Sequence, residues 1–427
     1  MYTEHEELSR REFLKGVGVA AAAFSAALGS TAAAQEAKAG SERLIRVGII
    51  GPGNQGRKKL MANAVRIPGV KFTAVCDIQS SNLEAGLEVA GEGAKGYEDY
   101  REMLDKEDFE ACIIAVPLNM HAPLAIAALQ AGKHVFCEKQ MGRTIEACKD
   151  MLRAQREAGQ LLQIGHQRRY NPTYHHALKL MKQGVLGEIT HIRALWHRNG
   201  SWRRRVPNDH PELERLINWR LYKESSAGLM GELGSHQLDV CNWFLDSTPL
   251  AVTGFGGLDY WKDGREVYDN VNCVFEYPNG VRITYTSITT NAYDDYYEQI
   301  MGTEGTLILT HEDEGLLFRE RRAEKLVWEK MAHKEEVGGK QAIVLDASAT
   351  PKKKGEARGP GEALGEKGEQ EDPYYLELFD FFRCIREGGE IFCDGEVGLR
   401  SAATCLLANE AMEKRQVIEF NEEHFAV

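Results

Sequence analysis

"LIRVGIIGPGNQGRKKLMANAV", residues 44–65, decides the fold. Leu44 to Ile50 form the nearly continuous apolar run expected of a parallel strand buried on both faces. Gly51-Pro52-Gly53-Asn54-Gln55-Gly56 then turns into a helix carrying Leu60, Met61, Ala64 and Val65 on one side. The three glycines have separate tasks: Gly51 permits the tight turn, Gly53 lets the backbone approach a pyrophosphate, and Gly56 lets helix and strand pack closely. The free amides of the turn, at Asn54 and Gln55, face that phosphate. A second strand, "VKFTAVCD", ends in Asp77, an acid at the spacing where ribose hydroxyls are held. A carboxylate there repels a ribose phosphate, so NAD is expected in preference to NADP.

Working outward, strands and helices alternate. "YEDYREMLDK", "MHAPLAIAALQAG" and "TIEACKDMLRAQREAG" read as helices between the strands "FEACIIAVP", "KHVFCEK" and "LLQIGHQ". The pattern predicts a doubly wound α/β domain over residues 42–165. Ligands of such sheets lie beyond the carboxyl ends of the strands. Pro117, Asn119 and His121 follow one strand end, Glu138 and Lys139 the next, and Gln167, Arg169 and Tyr170 the last, so all are expected at one cleft.

Residues 166–427 are expected to form an α+β domain with an open, mostly antiparallel sheet. "DNVNCVFEYPNGVRITYTSIT" holds two strand-like runs joined by the turn Pro278-Asn279-Gly280. The stretch 330–371, rich in Gly, Lys and Glu, reads as a flexible insertion. Two amphipathic helices close the chain. His197 and Trp202 lie in an aromatic, cationic segment suited either to sugar faces and hydroxyls or to subunit contacts.

In "GELGSHQLD", Glu232, His236 and Asp239 are spaced to project from one helix face. Alone, His236 reads first as a helix-capping or core histidine bonded to a backbone carbonyl, and Lys139 equally as a surface lysine paired with Glu138. No further ligand cluster of defined spacing accompanies them, so a metal site is not expected.

The ordered set of G-x-G-x-x-G, "AVPLNMHAPLAIAALQAGKHVFCEK", "R-Y-N-P" and "GELGSHQLD" resembles the glucose-fructose oxidoreductase, inositol dehydrogenase and MocA (Gfo/Idh/MocA) family over nearly the whole chain after residue 34. The resemblance implies that Lys139 sits beside the nicotinamide and the reacting sugar carbon. The family motif there is Glu-Lys-Pro, whereas this chain has Glu138-Lys139-Gln140. It further implies that His236 accepts the hydroxyl proton, that Glu232 helps place the substrate, and that the segment from Gln167 borders nicotinamide and substrate. Homodimers or homotetramers are usual in the family. The expected activity is oxidation of a sugar, sugar derivative or polyol. Alternatives are a redox-neutral, NAD-dependent glycoside hydrolase and a noncatalytic dinucleotide- or sugar-binding protein.

"SRREFLKG", Ser9 to Gly16, precedes the apolar run Val17 to Leu28 and the small-residue site Ala32-Ala33-Ala34. This order predicts a twin-arginine export signal over residues 1–34. A dinucleotide-loaded domain must travel folded, so the expected partners are the twin-arginine machinery and the expected location is the periplasm, with cofactor bound tightly from the cytoplasm onward. The chain carries a net charge of −12, and residues 1–34 hold four acids and three bases, leaving −11 for the remainder. Such acidity argues against a nucleic-acid partner, and no later apolar run is long enough to span a membrane. The nine cysteines include no C-x-x-C, and several lie inside apolar strands, which predicts free buried thiols.

Overall fold

A computed structural model describes residues 43–330, 332–345 and 371–427. The export signal at 1–34 lies outside these residues, as does 346–370 of the expected insertion. The described residues from Ile45 onward form one compact unit.

The first sheet contains β1 (Ile45–Ile50), β2 (Val70–Cys76), β3 (Lys95–Tyr97), β4 (Ala111–Ile114), β5 (His134–Glu138) and β6 (Leu162–Gly165). All are parallel, in the order β3-β2-β1-β4-β5-β6. Both faces are covered by helices, which is why Val47, Ile49, Ile113 and Phe136 are all fully buried. The strand order reverses between β1 and β4, and ligands settle at such a switch point. Ile50 pairs with Cys76 on one side and Ile114 on the other, so Gly51, Asp77 and Ala115–Pro117 emerge level at one edge.

The second sheet is built from β7 (Ile189–Asn199), β8 (Ala251–Gly257), β9 (Asn270–Glu276), β10 (Arg282–Ile288), β11 (Thr290–Gly302), β12 (Gly305–Thr310), β13 (Glu314–Arg319), β14 (Lys334–Val337), β15 (Lys340–Val344) and β16 (Ile418–Glu419). Its order is β14-β15-β13-β12-β11-β7-β10-β9-β8-β16, antiparallel except for β7 with β10. The expected turn joins β9 to β10, with Asn279 at φ 60° and Gly280 at φ 77°. Alternation places Val271, Cys273, Phe275, Ile283 and Tyr285 on the inner face, packed against Leu238, Phe244, Ala408 and Met412 from the helices Ser235–Leu245 and Gly395–Lys414. The nine cysteines are all buried and unpaired.

Two boundaries differ from the sequence expectation. Lys334–Val344 is a hairpin, not a flexible segment: β15 joins β13 through Leu316–Val344 and Leu317–Ile343, and Ala342 and Ile343 are buried under it. The helix Pro373–Glu387 belongs to the first domain, where Leu378, Phe381 and Phe382 complete the core beside β1 and β4. Phe381 meets Phe136 edge-on at 6.0 Å.

Candidate functional site

The three glycines of the turn have different surroundings. Gly51 adopts φ +89°, and a Cβ there would lie 2.5 Å from the Ala115 carbonyl oxygen. A Cβ on Gly56 would lie 2.2 Å from the Gly51 oxygen, so only glycine allows this approach of helix to strand. Gly53 has nothing within 4 Å and faces open space. That space is a cavity of about 810 Å³, walled by Gly51, Gly53, Asn54, Gln55, Asp77, Pro117 and Asn119 from the first domain. Its size lies within the roughly 300–1,000 Å³ typical of ligand clefts. Asp77 accepts from the Gln79 backbone N–H at 2.8 Å, and burial raises its pKa. A bare backbone turn beside a strand-end carboxylate is the donor and acceptor set that a dinucleotide requires.

At the next strand end, Glu138 is buried. Its Oε1 accepts from Gln55 Nε2 at 2.7 Å, and its Oε2 faces the Lys139 amide at 3.1 Å. The Lys139–Gln140 peptide is cis. Lys139 Nζ donates to the Glu232 main-chain carbonyl at 2.9 Å. Burial lowers the lysine pKa, opposed by Glu232 and Glu138. Glu232 sits in a π-helical turn, Met230–Gly234, immediately before the helix carrying His236; such turns recur at functional sites. His236 lies against Trp196, ring centroids 5.3 Å apart. Burial, reinforced by the positive charges of Lys139 and Arg168, holds its pKa well below the usual histidine value. The same surroundings favour the neutral imidazole over the imidazolium.

Other expected residues have different surroundings. The Glu232 carboxylate is held by Arg220, Nε to Oε2 at 2.7 Å. Arg169 and Asp239 form a bidentate pair at 2.9 and 3.0 Å, both buried, so each is the other's partner rather than an open substrate contact. Tyr170 does not reach the cleft; its hydroxyl donates to Asp380 inside the first domain's core. His121 is buried behind the cleft, with Nδ1 2.8 Å from the Gln140 carbonyl and Nε2 3.0 Å from that of Val116. Gln167 is also buried, its amide reaching Glu312 at 3.3 Å. His197 follows Trp196 on β7 and so faces the opposite side of the sheet from it, bonded to Thr286.

The neighbours on the site's own face are Trp196 and Arg198, which sequence reasoning passed over. The Arg198 guanidinium lies 5.0 Å from the Trp196 ring and 5.9 Å from the Trp202 ring. His166 was missed too. It follows β6, is buried, and places Nδ1 3.7 Å from Asp239; burial lowers its pKa to about 4.

Residues 45–166 match the oxidoreductase family with an NAD-binding Rossmann fold, and 174–308 match the GFO/IDH/MocA C-terminal domain. Levoglucosan dehydrogenase of Pseudarthrobacter phenanthrenivorans is 27% identical over 385 residues, 82% of this chain and 92% of that protein. Inositol 2-dehydrogenase of Salmonella paratyphi B is 32% identical over 203 residues, 47% of this chain and 55% of that protein. Among solved structures, a levoglucosan dehydrogenase in complex with NADH and levoglucosan superposes with a TM-score of 0.70 at 24% identity, covering 88% of this chain and 99% of that one.

Proposed function

The chain belongs to the GFO/IDH/MocA oxidoreductase family, and on that footing we propose that it oxidises a hydroxyl-bearing carbon of a sugar, sugar derivative or polyol. Residues 45–166 form its NAD-binding Rossmann domain. When bound, NAD supplies the hydride acceptor. Gly51, Gly53 and Gly56 with the amides of Asn54 and Gln55 would hold its phosphates, and Asp77 its ribose.

The observation that carries this reading is the convergence of Lys139 and His236. Lys139 comes from a strand end of the first domain, His236 from a helix of the second, and the Glu232 carbonyl fixes the lysine one turn before the histidine. Lys139 orients the substrate hydroxyl by donating to its oxygen. His236, neutral and buried beside Trp196, takes the proton as the carbon is oxidised. The partly exposed Trp202 offers a flat apolar face of the kind that sugar rings cover.

The protein is exported folded with its nucleotide in place and works in the periplasm. Support comes from the twin-arginine pattern at Arg10-Arg11 and from nine cysteines that stay unpaired and buried. It assembles as a homo-oligomer through the outer face of the second sheet, where Phe255 and Val274 are 71% and 44% exposed on adjacent strands.

The test is a screen of sugars and polyols against nucleotide-loaded protein, followed by nicotinamide absorbance. Formation of reduced nicotinamide with a particular sugar or polyol supports the reading. Release of sugar from an aryl glycoside without net reduced nicotinamide would replace it with hydrolysis, and binding without any chemistry would remove it.

A further inference from the structure

The wall of the cleft opposite the glycine turn comes from the second domain: Arg204, Leu216, Trp219 and Arg220 line it. This segment is tied down. Buried Asn218 accepts from the Arg204 amide at 2.6 Å and donates to the Arg204 carbonyl at 3.1 Å and to Glu214 at 3.0 Å. Tyr222 also donates to Glu214, at 2.6 Å.

The charges on this wall are unequal. Arg215 is paired with Glu224 and Glu266, and Arg101 across the cleft with Asp99. Arg220 is paired with Glu232 at 2.7 Å and stacks on Trp219 at 4.2 Å. Among the described residues, no carboxylate is in ion-pair contact with Arg204. Partial desolvation at the cleft wall and the nearby Arg220 both weaken its hold on a proton. Two guanidiniums thus converge on the cavity with one carboxylate between them, and an anion in the cavity would relieve their repulsion.

We propose that Arg204 and Arg220 bind the diphosphate of the dinucleotide from the second domain, so that the nucleotide is clasped between the glycine turn and this segment. The proposal rests on the cofactor assignment above. Arginine suits the task because its planar fork donates two parallel hydrogen bonds to phosphate oxygens. Arg220 does so while holding Glu232, the residue whose carbonyl fixes Lys139, so nucleotide occupancy is linked to the placement of the proton-handling groups.

The experiment is calorimetric titration of nucleotide-stripped protein with NAD, ADP-ribose and adenosine. Arg204→Met is the primary variant, because Arg204 is exposed and leaves no buried partner behind. Arg204→Met is expected to weaken NAD and ADP-ribose roughly tenfold, the loss of a charge-assisted contact, and to leave adenosine unchanged. Arg220→Met is expected to weaken the same two ligands. The neighbouring Arg205→Met is expected to bind all three as wild type does. Unaltered NAD and ADP-ribose affinity in Arg204→Met overturns the proposal, as does an equal loss in Arg205→Met, which would mean only a general effect of charge. If wild-type protein binds adenosine but neither diphosphate ligand, the cofactor assignment falls with it.

Discussion

Lys139 and Glu232 meet across the domain boundary through a main-chain acceptor: the ammonium donates to the Glu232 carbonyl at 2.9 Å, while the Glu232 carboxylate is turned to Arg220. An ammonium has three donors, and this contact uses one. The others remain for a substrate oxygen, and the Glu232 carbonyl fixes where they point.

Replacing Lys139 by Met removes those donors. Turnover should fall about 10²–10⁴-fold, the usual range for a proton-handling group, with NAD affinity unchanged by titration. Near wild-type turnover would remove Lys139 from the chemistry.

The pair Arg169–Asp239 is predicted to support the fold rather than to contact substrate. Asp239→Asn leaves a buried guanidinium without its counter-charge and should cost about 3–5 kcal/mol in denaturant unfolding. The double variant Arg169→Met/Asp239→Leu should recover most of that loss. A stable Asp239→Asn protein with a raised KM would instead favour a substrate contact.

His166 makes stability depend on pH. Its folded pKa is lowered from 6.5 to about 4 by burial. Between those values the unfolded chain takes a proton that the folded chain refuses, so its contribution is lost as pH falls from 6.5 towards 4 and then levels off. Unfolding free energies measured across this window should fall more steeply for wild type than for His166→Gln. Parallel slopes would contradict the assignment.

Asp77 is predicted to set the nucleotide preference. Asp77→Asn should raise NADP affinity relative to NAD by at least about tenfold, because a like-charge contact with the ribose phosphate is removed. Paired titrations with the two nucleotides check it.

Much of the first domain is legible because its signals are local. The glycine spacing, the apolar strands and Asp77 each state a backbone requirement within a few residues. What is not legible depends on distant partners. The apolar positions of Pro373–Glu387 announce a helix but not that Phe381 returns to Phe136. Alternation along "ALWHRN" shows that Trp196 and His197 face opposite ways without showing which side holds His236. Arg169 and Tyr170 follow a strand end as cleft residues would, yet Asp239 and Asp380, far along the chain, draw them inward. Ala342-Ile343-Val344-Leu345 is a short apolar run within a polar stretch, enough to anchor a hairpin once β13 offers an edge.

The most direct test is the nucleotide content of the protein isolated gently from its native compartment. Heating should release stoichiometric NAD into the supernatant, and the emptied protein should take NAD up again. Protein that comes out empty and binds no NAD at any concentration would contradict the account, since Lys139 and His236 would then have no hydride acceptor beside them.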